Sequence, residues 1–498
     1  MTQCEISRRR FLETAGAVAG SSLLQYPQGL FAHAVANGRI KTKADYTLKI
    51  ETTPLEIAPK RIIFVTTYNG QFPGPLLRLK EGQQVIVDVQ NESDVPEQLH
   101  WHGQFVGTDV DGAAEEGTPF IAPHSTKRIS FVPGPSGLRF YHTHVRAGSD
   151  LANGQYNGLV GPVYIEPKEN PGRYDREVFL TMKEFQPRLS HGGDMAMDFL
   201  SPARSDAALK DAGEKSMNAS LAEGTPHGYE VGYDSFTING KMLGHGEPVR
   251  VKQGERILFH VVNGSAGEIR SLALPGHTFT IVAMDGNSLS KPTRVPVLWL
   301  GTAERISAVV EMNHPGVWVM GDLSDDDRKH GMGIVVEYAG YGSKPQWTLP
   351  KPFKWNYVHF GNATATNVEP DEVFDMLFEK QNAVMDGFNK WTINGVPYPM
   401  EQSEAKPMFH LRKGRRYRIR MKNASDDIHP IHLHRHSFEV TRFGGIPMSG
   451  LMKDVVMVNG YQEVEIDFVA NNPGLTLFHC HQQLHMDFGF MALFDYIS

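Results

Sequence analysis

Apolar and polar residues alternate over short stretches of this chain, as in Val85/Val87/Val89 and Tyr417/Ile419/Met421. A period of two predicts strands with one face buried. Three such stretches read as copies of one unit. The first runs from Tyr68-Asn69-Gly70 through Leu79-Lys80-Glu81-Gly82 to Val85-Ile86-Val87. The second runs from Phe236-Thr237-Ile238-Asn239-Gly240 to Val251-Lys252-Gln253-Gly254 and Ile257-Leu258-Phe259. The third runs from Trp391-Thr392-Ile393-Asn394-Gly395 to Leu411-Arg412-Lys413-Gly414 and Tyr417-Arg418-Ile419. Each predicts strand, turn at Gly, strand, and each closes on an asparagine: Asn91, Asn263 and Asn423. A spacing of about 160 residues means repeated whole domains rather than a solenoid.

Two segments depart from this pattern. Residues 186–232 are rich in small residues and helical in periodicity from Asp206 to Leu221. In residues 369–388, Pro370-Asp371 stands where a helix would start, before Phe374, Met376, Leu377, Phe378 and Met385. Each segment either decorates a domain surface or walls a substrate site. Stretches rich in Pro, Gly and charge, Glu166-Pro167 to Arg176 and Gly340 to Lys354, divide the chain. The domains expected are 37–168, 169–345 and 346–498, behind an N-terminal segment 1–36.

That segment reads as an export signal. Ser7-Arg8-Arg9-Arg10-Phe11-Leu12 is a twin-arginine pattern, followed by a mildly apolar run from Thr14 to Leu24. Ala32-His33-Ala34, or Ala34-Val35-Ala36, offers the cleavage site. The expected partner is the twin-arginine export machinery, and the expected destination is the periplasm or cell envelope. Length and composition agree: 498 residues exceed one core, and 49 Gly with 31 Pro suit many turns. A net charge of −7 gives no footprint for nucleic acid, and no apolar run is long enough to span a membrane. Of the two cysteines, Cys4 lies in the signal, so Cys480 would be alone in the exported chain, without an intramolecular disulfide.

The histidines carry the chemistry. Four separate His-X-His pairs occur, His100/His102, His142/His144, His432/His434 and His479/His481, and His436 makes a further X-spaced pair with His434. Composition alone would give about one. On a strand, alternate residues share a face, so each pair can aim two imidazoles at one point, as an eight-histidine multinuclear metal centre needs. Cys480, between His479 and His481, then faces the other way, toward a second metal. Within His429-Pro430-Ile431-His432-Leu433-His434 and His479-Cys480-His481-Gln482-Gln483-Leu484-His485, setting the pairs aside leaves His429, Cys480 and His485. Two imidazoles and a thiolate are the ligand set of a blue-copper electron-transfer site. Zinc fits poorly, because neither four thiolates nor a spaced cysteine pair is present.

In order along the chain come His-Trp-His-Gly, His-X-His, His-Pro-X-His-Leu-His and His-Cys-His-X₃-His. Together these blocks resemble the three-domain multicopper oxidases, the group of laccases, cuprous and ferrous oxidases and bilirubin oxidases. The resemblance covers essentially the whole mature chain. It implies three cupredoxin-like Greek-key β-sandwiches, an all-β fold, with a trinuclear cluster between the first and third. It implies four coppers: type 1 on His429, Cys480 and His485, type 2 on His100 and His432, and a type 3 pair on His102, His142, His144, His434, His479 and His481. Electrons would pass from Cys480 through His479 and His481, coupling four one-electron oxidations to reduction of dioxygen to two waters. His436 aligns with a position that binds no metal in the family, and His124, His245, His260, His277 and His359 are scattered.

Two departures from the family pattern matter. The axial position at type 1 copper, ten residues after the cysteine, is Phe490, which cannot coordinate; losing a thioether ligand raises the reduction potential. Met486 and Met491 are the neighbouring alternatives. Where relatives carry an acid three or six residues after the cysteine, this chain has Gln483 and Met486, with Asp487 as substitute. Asp111, before Gly112, resembles the family's aspartate near type 2 copper, where it would orient water and supply protons. A high-potential Phe490 site fits phenolic or aromatic donors. Met195, Met197, Met376 and Met385 hint at the alternative, a Cu(I) or Fe(II) oxidase in copper homeostasis. A non-enzymatic scaffold on the same fold is argued against by the eleven ligand residues present, and a two-domain nitrite reductase by the type 3 pairs.

Overall fold

A computed structural model describes residues 43–168, 173–190, 199–200, 206–221, 228–362 and 368–498. The export signal and both Met195 and Met197 lie outside the described residues. The rest is built from six sheets, two in each successive third of the chain. The first pair is a sheet in the order Arg61–Tyr68, Tyr46–Ala58, Val85–Asn91, Ser125–Phe131, and a sheet in the order Leu77–Lys80, Val160–Glu166, Gly137–His142, His100–His102. They close over one core, in which Leu48 and Val87 meet Leu79, Trp101 and Val163. The second pair has six and five strands, and the third seven and five.

The sequence repeat is a repeat of hydrogen bonds. In each copy the opening strand pairs in parallel with the strand after the glycine turns: Tyr46–Ala58 with Val85–Asn91, Arg176–Ser190 with Arg256–Asn263, Glu372–Met385 with Arg416–Asn423. The turn residues Asn69, Asn239 and Asn394 have φ of 55°, 53° and 53°, the left-handed region that asparagine tolerates. Asn91, Asn263 and Asn423 are fully buried. Each side-chain amide donates to loop carbonyls, while its oxygen accepts from the backbone N–H two residues on, at Ser93, Ser265 and Ser425. Each asparagine thus ends a strand and satisfies a buried loop at once.

Residues 369–388 are not helical. They form the strand Glu372–Met385, with Phe374, Met376, Phe378 and Lys380 buried in alternation. Phe374, Leu377 and Phe378 also fit helical spacing, but pairing on both sides, to Arg416–Asn423 and to Phe388–Ile393, decides for strand. The helix expected from Asp206 is present as Ala207–Leu221 and packs on this strand. Both ends of the 186–232 segment belong instead to a strand pair, Ser190 opposite Glu230; residues 191–198, 201–205 and 222–227 lie outside the described residues.

Candidate metal centre

Strand geometry brings the eight paired histidines to one place. His100 stands opposite His142 in the first sandwich, and His432 opposite His479 in the third. Trp101, between His100 and His102, faces the other way, its ring 4.6 Å from Phe131 in the core. The ligand atoms gather in three groups, each within 4.8 Å: His100/His102/His432, His102/His142/His481 and His144/His434/His479. All eight side chains are buried. His102 stacks on His432 at 3.8 Å between ring centroids and His100 on His434 at 4.2 Å.

Each ring that is fixed from outside offers its other nitrogen inward. The Nδ1–H groups of His432, His142 and His479 donate to the carbonyls of Asp454 (2.7 Å), Thr143 (2.7 Å) and Cys480 (2.8 Å). His100 and His434 share the Asp111 carboxylate, at 3.1 and 2.9 Å. His102 is turned round: its Nε2 meets Asp454 Oδ1 at 3.2 Å, leaving Nδ1 inward. Accordingly His100 Nε2, His102 Nδ1, His142 Nε2, His432 Nε2 and both nitrogens of His144 and His481 are buried without a hydrogen-bond partner among the described residues. Burial and mutual repulsion push the pKa of His102, His142, His432, His434, His479 and His481 far down, so these rings are neutral. Converging, unpaired lone pairs on neutral imidazoles are costly by themselves and are what a metal ligand set requires.

Asp111 is therefore a partner of two rings as well as a turn residue before Gly112. A side chain at Gly112 would strike the Leu99 carbonyl. Beside Asp111 lies buried Glu116; desolvation and the neighbouring carboxylate push its pKa well up, so it holds a proton. Asp487 sits elsewhere. Its carboxylate accepts from Gln483 Nε2 (2.9 Å) and from the N–H groups of Ala147 and Gly148, just past His144, and burial raises its pKa to about 7.

Sequence reading missed Asp454 and what holds it. Arg305 grips its two oxygens at 2.5 and 2.6 Å, and Arg139 adds a bond at 3.1 Å; all three side chains are buried. Lys453 next door pairs with Asp285 and Glu304 at 2.8 and 2.9 Å. Arg305, Asp285 and Glu304 come from the middle sandwich, which has no His-X-His pair. Two signals were available: Lys453-Asp454 opens the apolar run Val455-Val456-Met457-Val458, and Gly103 follows His102. A Cβ at Gly103 would come within 2.5 Å of Asp454 and 2.6 Å of Arg305.

On the far face of the strand Thr476–Cys480, the sulfur of Cys480 lies 3.7 Å from Nδ1 of His429 and 3.7 Å from Nδ1 of His485. Those two nitrogens are 3.3 Å apart. Ser425 Oγ, 2.8 Å from His429 Nε2, fixes that ring. Burial pushes the Cys480 thiol up, so only a bound cation would keep it as thiolate. Phe490 packs against His429 at 4.8 Å and alongside Trp391 at 5.7 Å. Met486 and Met491 point into a separate cluster with Leu477, Leu493 and Tyr398. His436 bonds the His434 carbonyl (3.0 Å) and Tyr496 (2.8 Å). His485 Nε2, 3.8 Å from Glu230, faces a cavity of about 390 Å³.

The multicopper oxidase family profiles match residues 49–170, 210–337 and 365–497. The multicopper oxidase MmcO of Mycobacterium tuberculosis is 31% identical over 445 residues, covering 88% of this chain and 84% of that protein. The chain is a multicopper oxidase. Laccase-3 of Thanatephorus cucumeris is 25% identical, over 93% of this chain and 92% of the relative. The crystal structure of Fet3p, described as a multicopper oxidase that functions in iron import, superposes with a TM-score of 0.72 at 19% identity, covering 91% of this chain and 90% of that one. That likeness carries the fold, cupredoxin-like β-sandwiches. As a member of this family the oxidase is a copper-dependent oxidoreductase with dioxygen as electron acceptor.

Proposed function

We propose that this multicopper oxidase is laccase-like, coupling four one-electron oxidations of phenolic or other aromatic donors to reduction of dioxygen to two waters. Its cavity beside His485 carries this reading. About 390 Å³, walled by Tyr156, Phe199, Tyr233 and Trp299, is the size and character of a small-molecule site. His485 has Nδ1 toward Cys480 and Nε2 toward the cavity, so one ring separates donor from sulfur.

In this reading His429, Cys480 and His485 hold type 1 copper, with Phe490 at the non-coordinating axial position. His100 and His432 hold type 2. The type 3 pair falls to His102/His142/His481 and His144/His434/His479, a division supported by the separation of ligand atoms into those trios. When bound, copper supplies one-electron redox chemistry at the first site and dioxygen reduction at the others. Cys480 is bonded through its backbone to His479 and His481, which gives electrons a covalent path between the two faces of one strand. Asp111 orients His100 and His434, and Glu116 holds a proton beside them. Asp487 is the second proton-handling residue, reached past Gln483 and the chain after His144.

A second reading, oxidation of Cu(I) or Fe(II), is favoured by the carboxylates that also line the cavity. Met376 does not help it, being buried in the core. Oxygen uptake by copper-loaded protein, with phenolic, Cu(I) and Fe(II) donors side by side, separates the two; failure to oxidise phenols while oxidising either metal ion reverses the order. We further assign the mature oxidase to the periplasm or cell envelope, exported by the twin-arginine route on the strength of Ser7 to Leu12. Replacing Arg8 and Arg9 with lysine should retain it in the cytoplasm by fractionation.

A further inference from the structure

Resting on the oxidase reading, we propose that the cavity beside His485 selects aromatic donors that carry positive charge, the class of phenols with a protonated or quaternary ammonium side chain. Five carboxylates line it: Glu230, Glu268, Asp322, Asp327 and Asp427. The nearby cations are already engaged, Arg270 on Asp327 at 2.6 Å and Lys380 on Asp426 and Asp427 at 2.8 and 2.7 Å. With two cations against five carboxylates, negative charge is left over even though burial raises the pKa of Glu268 to about 7 and pushes that of Asp322 up. It lies in a concave, partly desolvated space where it acts strongly on a ligand.

A second observation points to a ligand. Tyr156 and Tyr233 line the same cavity, 2% and 7% exposed, and their hydroxyls have no hydrogen-bond partner among the described residues. Buried hydroxyls are rarely left so unless a bound molecule completes them. In the same lining Phe199 stacks on Trp299 at 3.9 Å, a π surface that suits both an aromatic ring and a cationic substituent.

An organic cation fits better than a bare metal ion. Among the described residues, the groups whose ligand atoms converge closely enough to hold a metal include none of these five carboxylates. Several are committed: Asp322 accepts from the N–H groups of Ser271 and Ser324, and Glu230 from Asn389. The space also exceeds what one ion fills.

The test uses copper-loaded protein and phenols that differ only in a para substituent: trimethylammoniomethyl, hydroxymethyl or sulfonatomethyl. The expected kcat/KM is about tenfold higher for the cation than for the anion, narrowing as salt is added. E230Q and E268Q should each reduce the cation-to-neutral ratio about threefold, with the blue band intact as proof of folding. Calorimetry should detect binding of benzyltrimethylammonium, which is not oxidised, and none of benzenesulfonate at equal concentration. A ratio near one, or a ratio unmoved in both variants, overturns the proposal. So does Fe(II) oxidation that falls in E230Q while the cationic phenol keeps its advantage, which would make a metal ion the occupant. Reoxidation by air of protein reduced with dithionite checks the underlying reading separately: if it fails, the oxidase assignment falls, and if it succeeds with a flat ratio, only the cavity's charge selection falls.

Discussion

The two faces of the strand Thr476–Cys480 differ in how they are enclosed. On one side eight imidazoles are sealed among charges, with Asp111, Asp454, Glu116, Arg139 and Arg305 all buried around them. On the other, Cys480, His429 and His485 sit among Trp391, Phe378 and Phe490, and one ring reaches a cavity. A site held by carboxylates and carbonyls can position ligands and keep protons close by. A site held by aromatic rings excludes water, and the charge it faces lies across the cavity. On the proposed reading, the first face carries proton-dependent oxygen chemistry and the second selects the donor.

Four substitutions test that contrast, beginning with the largest effect. Cys480→Ser should abolish donor oxidation and the blue absorption while leaving the other coppers largely bound, measured by metal analysis and visible spectra. Colour that survives removes Cys480 from the donor side. His481→Ala should give the converse: the blue band stays, reduced type 1 copper accumulates under donor and air, and oxygen uptake stops. Normal uptake by this variant would mean that the alternation of faces along the strand is misassigned.

Asp454→Asn should weaken copper retention at the histidine cluster by about 10- to 100-fold, the usual cost of losing an outer partner of a metal-binding histidine. Because Arg139 and Arg305 then lose a buried counter-charge, unfolding should also become easier, by about 3–5 kcal/mol. Chelator titration and denaturant melts measure the two effects, and the blue band should not move. The smallest change is Phe490→Met, expected to lower the type 1 reduction potential by about 100 mV as a thioether reaches the metal. Redox titration of the blue band is the measurement, with Met491→Leu as control. Should the control shift the potential instead, the axial position is one residue further along.

Much of the site was legible because its residues are unusual in kind and local in arrangement. A His-X-His pair needs only the period of a strand to converge, and Cys480 between two histidines needs only the same rule to face away. Asp111 was singled out too, by its resemblance to the family's aspartate; its place before Gly112 alone marks only a turn. Asp454 was not, since it meets His102 across 352 positions and Arg305 across 149. No periodicity links such residues; only packing does. The error at residues 369–388 has the same origin, for Phe374, Leu377 and Phe378 satisfy two periods, and the neighbouring strands selected one.

By itself, then, the sequence determined the strand repeats, the asparagines that close them, the all-β class and the four His-X-His pairs with Cys480 facing away from its two neighbours. These follow from short-range rules: side chains alternate along a strand, and asparagine bonds its own loop. Only the tertiary structure decided which histidines share a trio, that His102 is turned to offer Nδ1, and that the middle sandwich braces the cluster through Arg305. It alone assembled the cavity at His485, with carboxylates drawn from Glu230 to Asp427. Those features depend on burying charges from distant segments in one place, where each becomes tolerable only because the others are there.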